Sequence, residues 1–540
     1  MDTVMARSIH RPVRRRLLAA VAFAGALLGA VPAVSEAARG QLTIMEDPSQ
    51  LVSEDPGRRA QTLAEFEALG VDTVKIAVPW RSVAPSSGSE SRPGGFDGAD
   101  PSAYAEGAFA RFDGAVQDAT ARGFRVILSP TAPAPEWATQ RGERSGVVGV
   151  WRVDPAEYGR FVQSLGVRYS GSFQGLPRVS SWSLWNEPNH PLFMQPLSER
   201  LGGGRLVPSS PHRYRRMYVA GQGGLERSGH GSDTVLFGEI LPIGQSNRGP
   251  TNTIRPIEFL REFYCLDERY RAYRGRRARV RGCSRFPRVK TSGLAYHAYT
   301  RPGGPRVVVP TTDDATIGQI RRLEQALTRI ARSRRVQRGL PIYNTEFGLQ
   351  SKPPDCGGFG TSLANQAAYI NESEYISYTR PRVASYSNYL LIDDAINTSF
   401  GRSSPQRYRG FQSGLRFGPN ALSCSGGGAF ALAQQKPAYE AFRTPIFVRR
   451  VRGGVQVFGR ARPRRFEPQA IQILRNGNTV GTVTARGYFL TRVRGSSAGT
   501  WQLRWSAGGQ TFESRTTRAL ADPRNARRGS SGPERTASGR

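Results

Sequence analysis

SWSLWNEPNH, residues 181 to 190, is a run of aromatic and apolar residues that stops on an Asn-Glu-Pro. Bulky residues at short spacing favour an extended strand, and Pro188 cannot donate to a sheet ladder, so the strand must end there. Asn186 and Glu187 then stand at the C-terminal tip of a strand. What such a tip is for depends on what surrounds the strand.

On the N-terminal side, PAEYGRFVQSLGVRYSG (155–171) opens on a proline and closes on a glycine, the punctuation of a helix. Before it, FRVILSP (124–130) is a buried-type strand, ARFDGAVQDATARG (110–123) a helix, VDTVKIAVPW (71–80) a strand, RRAQTLAEFEALG (58–70) a helix and QLTIM (41–45) a strand. The rhythm continues C-terminally. A helix is expected within 210–229, a strand at 234–242, a helix near 253–272, a strand at 292–300 and a helix over 315–334. A strand at 340–348, a helix over 362–378, a strand at 383–393 and a final helix near 427–442 follow. Strands alternating with helices imply a parallel sheet with crossover helices. Eight such units predict an α/β fold of the (β/α)8 TIM barrel type over residues 38–444, with long loop insertions. A doubly wound open sheet is disfavoured, because no Gly-rich phosphate-binding turn follows the first strand.

After Thr444-Pro445 the period changes to short alternating runs: IFVRRV, GVQVFGR, QAIQILRNG, TVGTVTA, YFLTRV, TWQLRW and QTFESRT. With turn signals at Asn476-Gly477 and Gly508-Gly509, residues 445–519 are expected to form a small all-β sandwich, immunoglobulin-like in type. Residues 520–540, rich in Arg, Ser, Gly and Pro, are expected to be a disordered basic tail. At the other end, Arg11 and Arg14 to Arg16 precede an apolar run from Leu17 to Val34, and Ser35-Glu36-Ala37 supplies small residues for cleavage. Residues 1–37 read as a signal peptide, and no other long apolar stretch would give the mature protein a transmembrane segment.

Export places the four cysteines, Cys265, Cys283, Cys356 and Cys424, in an oxidising setting, where an even count means disulfides and three pairings are open. The layout favours Cys265–Cys283, flanking a basic insertion, and Cys356–Cys424, in the loops after the seventh and eighth strands. No spacing resembles a metal site. The formal net charge is +34, and only four of the 76 basic residues are lysine. Residues 261–290 hold eleven basic and three acidic side chains, and residues 445–540 hold 19 arginines against four acidic residues. An anionic cell-envelope polymer is a candidate partner for the Arg-rich C-terminal region, whereas no nucleic-acid-binding motif accompanies the charge.

In a (β/α)8 barrel the reactive groups sit at the C-terminal ends of the strands. Two strands end in carboxylates three units apart: the fourth in Asn186-Glu187-Pro188, the seventh in Asn344-Thr345-Glu346-Phe347. Two carboxylates facing each other across a barrel mouth suit glycoside hydrolysis, in which one donates a proton and the other attacks or activates water. Glu239, ending the fifth strand, is a third such carboxylate, read as support or substrate contact. His297 and Tyr299 share one face of the sixth strand. Trp80, Trp137, Trp151 and Trp185 are compatible with core, but several lie at strand ends or in rim loops, where aromatic faces stack on sugar rings. Trp501 and Trp505 share one strand face and read as sandwich core.

These residues resemble the retaining glycoside hydrolases of clan A, the "4/7" barrels, families 5 and 39 most. The resemblance covers about residues 40–444. It implies Glu187 as acid/base, Glu346 as nucleophile, Asn186 as the contact to the sugar 2-hydroxyl, and His297 and Tyr299 as the clan's His-x-Tyr, whose tyrosine bonds the nucleophile. It places Trp137 of APEWA (134–138) in the site, and KPAYEAF (436–442) at the closure of the barrel. Trp80, Asn344 and Tyr389 complete the expected substrate contacts. Lys75 stands where family 5 carries a strand-two arginine, and Tyr386 or Tyr389 where the clan has a strand-eight tryptophan. The expected activity is hydrolysis of an oligo- or polysaccharide by a secreted enzyme that needs no cofactor. A non-catalytic carbohydrate- or envelope-binding protein on the same barrel is the alternative from another class, and a transglycosylase would use the same residues.

Overall fold

A computed structural model describes residues 40–521 except 141–145, 201–203, 287–288, 426–427 and 463–467. The signal-peptide reading and all but the first two residues of the basic tail lie outside the described residues.

Eight parallel strands close into a barrel. They are β1 (Leu42–Glu46), β2 (Thr73–Pro79), β3 (Arg125–Thr131), β4 (Ser181–Leu184), β5 (Thr234–Ile240), β6 (Gly293–His297), β7 (Ile342–Glu346) and β8 (Val383–Tyr389). Each is followed by a helix: α1 (Pro56–Ala68), α2 (Ala110–Ala121), α3 (Pro155–Arg168), α4 (Ser210–Arg227), α5 (Pro256–Phe263), α6 (Ile320–Arg332), α7 (Leu363–Tyr378) and α8 (Pro437–Arg443). The sequence explains several helix starts. Asp55 and Asp154 accept backbone N–H groups just ahead of Pro56 and Pro155, and Ser362 does the same for α7. The barrel closes where β1 pairs with β8, Leu42 opposite Ser385 through Glu46 opposite Tyr389.

Two helices are shorter than the sequence pattern predicts. α5 ends at Phe263 because Cys265 turns into a left-handed conformation (φ 56°) and is tied to Cys283. The final helix begins only at Pro437, because the preceding chain is held extended by bridges from Arg416 to Gln435 and Leu422 to Ala429. Both disulfides favoured by the layout are present, Cys265–Cys283 and Cys356–Cys424. None of the described helices is long and apolar enough to cross a membrane.

Beyond α8 the chain forms antiparallel strands: β9 (Ile446–Val451), β10 (Gly454–Arg460), β11 (Gln469–Arg475), β12 (Asn478–Ala485), β13 (Tyr488–Arg494), β14 (Thr500–Ala507), β15 (Gln510–Glu513) and β16 (Thr517–Arg518). One sheet runs β9-β10-β13; the other runs β12-β11-β14-β15, with β16 also on β14. They share one apolar core that includes Val457, Ile471, Trp501, Leu503 and Trp505. The all-β region expected here is thus seen as two antiparallel sheets around one core.

This all-β unit is fastened to the barrel through α7. Tyr375 stacks on Phe447 at 4.5 Å, and Tyr378 packs on Phe458 at 5.3 Å. Glu374, wholly buried, accepts from Arg462 and from the Tyr488 hydroxyl, with Arg460 3.7 Å away. Arg460 also bonds Thr43 on β1.

Candidate active site

Strand geometry turns a set of acidic residues inward at one rim. Glu187 lies just past β4, where Trp185 (φ 74°) and Glu187 itself (φ 39°) adopt left-handed backbone that disfavours side chains. Such conformations cost about 1–3 kcal/mol each and persist where surrounding structure enforces them. In β5 the register slips between Gly238 and Ile240, so Glu239 bulges out of the ladder and points into the barrel. Gly238 is required there: a Cβ would come within 2.4 Å of the Ala295 carbonyl. A second slip, between β6 and β7, leaves Thr345 unpaired and brings His297 opposite Glu346.

The groups converge. His297, fully buried, places Nδ1 2.7 Å from Glu187 Oε1 and Nε2 2.5 Å from Glu239 Oε2; Nε2 is also 3.6 Å from Glu346 Oε2. The Tyr299 hydroxyl donates to Glu346 Oε1 at 2.6 Å. Lys75 Nζ lies 3.0 Å from Glu46, 3.2 Å from Glu239 and 3.5 Å from Glu346. Glu239 further accepts from Thr345 at 2.7 Å and from Ser183.

The electrostatics follow from this packing. Burial works against the charge of Glu239, but Lys75, His297 and Ser183 outweigh it and hold the carboxyl well below the usual range. Burial would likewise neutralise Lys75; Glu239, Glu46 and Glu346 instead keep the ammonium charged. Burial raises Glu187, against the pull of His297. It would lower His297, but Glu346, Glu187 and Glu239 push the imidazole up to about 10. Since ionised Glu239 can only accept, Nε2 of His297 must be the donor to it. Nδ1 and Glu187 then share a single proton, and both groups are shifted toward retaining it. Burial pushes Glu46 up to about 7, opposed by Lys75.

The other expected contacts divide into two sets. Asn186, Tyr299 and Tyr389 are half-buried at the mouth, and among the described residues no partner is found for the Asn186 side chain. Asn344 instead braces the strands: its amide is placed to donate to the carbonyls of Tyr296 and Glu346, at 3.2 and 3.0 Å. Trp80 is 1% exposed, stacked on Phe161 at 5.2 Å and edge-on to Trp137, so it belongs to the layer between barrel and α3 and offers no face to a sugar. Trp137 donates to the Pro85 carbonyl and is largely enclosed beside Phe96.

Two contributors escaped the sequence reading. Glu46 ends β1 one residue beyond the strand expected at 41–45. His190, in the opening stretch, lies 3.8 Å from Glu187 and is pushed down to about 4 by burial. The signal for Glu46 was present, since it is another strand-end carboxylate.

Glu187, His297 and Glu346 offer ligand atoms within 4.8 Å of one another, a spacing open to a cation. Lys75 already brings a positive charge to Glu346, and both ring nitrogens of His297 are engaged, so the arrangement suits proton transfer better. His212 also approaches Cys265 and Cys283, but those sulfurs are joined to each other and are not thiolate ligands.

No family model matches the chain, and no curated protein matches it. Solved structures do resemble it. A glucosidase from Croceicoccus marinus is 12% identical, covering 84% of this chain and 93% of that one, with a TM-score of 0.47. GH5_18 from Streptomyces cattleya, in complex with GlcNAc, is 14% identical over 75% and 79% of the two chains, with a TM-score of 0.45. A modular endo-β-1,4-mannanase of family 26 from Cellulomonas fimi is 14% identical over 90% and 95%, with a TM-score of 0.38. Likenesses this distant carry no activity over to the present chain.

Proposed function

We propose that this protein is a secreted retaining glycoside hydrolase acting on an oligo- or polysaccharide. The observation that carries the reading is the carboxylate pair: Glu187 and Glu346 present oxygens within 4.8 Å of each other. Closely set carboxyl groups are the arrangement of retaining enzymes, whereas inverting enzymes need a wider gap for water. The paired cysteines fit an oxidising compartment outside the cell.

In the first step a Glu346 oxygen attacks the anomeric carbon while the bond to the leaving oxygen breaks. Glu187 gives its proton to that oxygen. Tyr299 and Lys75 orient Glu346 and set positive charge beside it. In the second step water attacks the same carbon, Glu187 takes the water proton, and the bond to Glu346 breaks. His297, anchored by Glu239, holds Glu187 in place and shares its proton. Asn186, whose side chain has no partner among the described residues, is set to bind a hydroxyl of the reacting ring.

The test is turnover of aryl glycosides and of β-glucan, mannan, xylan and galactan, with Glu346→Gln and Glu187→Gln alongside. Glu346→Gln should abolish turnover on every substrate. Glu187→Gln should abolish it on polysaccharides but spare part of the first step on aryl glycosides, whose leaving groups need little protonation. Turnover that survives in Glu346→Gln would refute the assignment.

A further inference from the structure

Beside the carboxylates, a cleft of about 180 Å³ opens between the loops that follow β6, β7 and β8. One wall is Tyr299, the residue whose hydroxyl holds Glu346. Two phenylalanines face the same space and are conspicuously exposed, Phe359 at 67% and Phe411 at 40%. Their exposure is built in. The Phe359 N–H donates to Asp355, next to the Cys356–Cys424 disulfide, and Phe411 meets the Tyr389 ring edge-on at 5.1 Å. Among the described residues Arg301, itself exposed, is the one charged residue lining the cleft, and no carboxylate pairs with it. The chemistry of Glu187 and Glu346 makes no use of these three residues.

We propose that this cleft receives the sugar ring next to the one being transferred, and that this ring is anionic: a uronic acid or a sulfate ester, stacked on the phenylalanines and paired with Arg301. The inference rests on the glycosidase reading, which fixes the reacting ring at Glu346. The volume is on the scale of a single ring. An exposed ring face with a rigid mounting suits the C–H patch of a pyranose. Arg301 is exposed at the cleft edge, so its guanidinium keeps its water beside a neutral ring and gains nothing from it, whereas a carboxylate or sulfate on the ring pairs with its planar fork. The substrate class is therefore an acidic glycan.

Binding to the full-length Glu346→Gln protein would be measured by calorimetry with matched neutral, uronate and sulfated oligosaccharides of gluco-, manno-, xylo- and galacto-type backbones. In at least one set an acidic member should bind several-fold tighter than its neutral counterpart, as expected for one solvent-exposed charge-assisted pair. The advantage should shrink at high salt and vanish when Arg301→Gln is added. The sulfated arm tells which anion is preferred. Phe359→Ala should weaken acidic and neutral members alike, by several-fold. Thermal unfolding of both variants checks the fold. Equal or tighter binding of the neutral member in every set, no binding in any set, or an acidic preference that survives Arg301→Gln would overturn the proposal. The two readings fail separately. Charge-blind binding with hydrolysis lost in Glu346→Gln sinks only this inference, while charge-selective binding with no hydrolysis of any substrate by the wild type sinks the enzymatic one.

Discussion

At the scale of single residues, the centre is a balance of four carboxylates against two cations. Lys75 touches three of those carboxylates and is itself buried. Lys75→Met should destabilise the protein by roughly 3–5 kcal/mol, the usual result of stranding buried charge, as read by denaturant unfolding. His297 pulls the proton affinity of Glu187 down, so its removal must act upward. His297→Asn should shift the alkaline limb of the pH–kcat/KM profile to higher pH while lowering kcat; a shift to lower pH would contradict the shared proton. Glu46 gives a linkage test. Its folded value, about 7, lies above that of an unfolded glutamate, about 4.3. Its favourable contribution is therefore complete below the unfolded value and is lost as pH rises through about 7. Glu46→Gln should compare better with the wild type at pH 8 than at pH 4 in unfolding experiments.

At the scale of elements, the position of the proposed carboxylate pair was legible because strand-to-helix alternation is a local signal. Glu187 and Glu346 follow from counting strands and looking at their tips. What was hidden is tertiary. Trp80 looks like a sugar platform until Phe161, from a helix one unit further on, covers it. Glu239 and His297 face inward through register slips that no residue pattern announces, apart from Gly238. Glu46 was lost to a strand boundary one residue short. The loop disulfide Cys356–Cys424 bridges a separation of 68 residues, and by chain entropy a closure of that length contributes roughly 4 kcal/mol. The double variant Cys356→Ser/Cys424→Ser should lose stability on that order, and with it the rigid presentation of Phe359.

At the scale of the whole molecule, the two antiparallel sheets are joined to the barrel by a wholly buried carboxylate with cationic and phenolic partners. Glu374→Gln leaves Arg460 and Arg462 buried with much less countercharge. It should lower the unfolding temperature by several degrees, with the larger loss in the sheets as followed by hydrogen exchange. The closure of the barrel has a further consequence, for synthesis. β1 shares only two residue pairs with β2, its neighbour in sequence, but five with β8. Until residues 383–389 have emerged, Leu42–Glu46 is an unsatisfied edge strand, open to any other extended chain. A chain stopped short of Val383 would accordingly be more than a barrel lacking its last strand: it would carry a permanently open seam, and its expected fate is edge-to-edge aggregation.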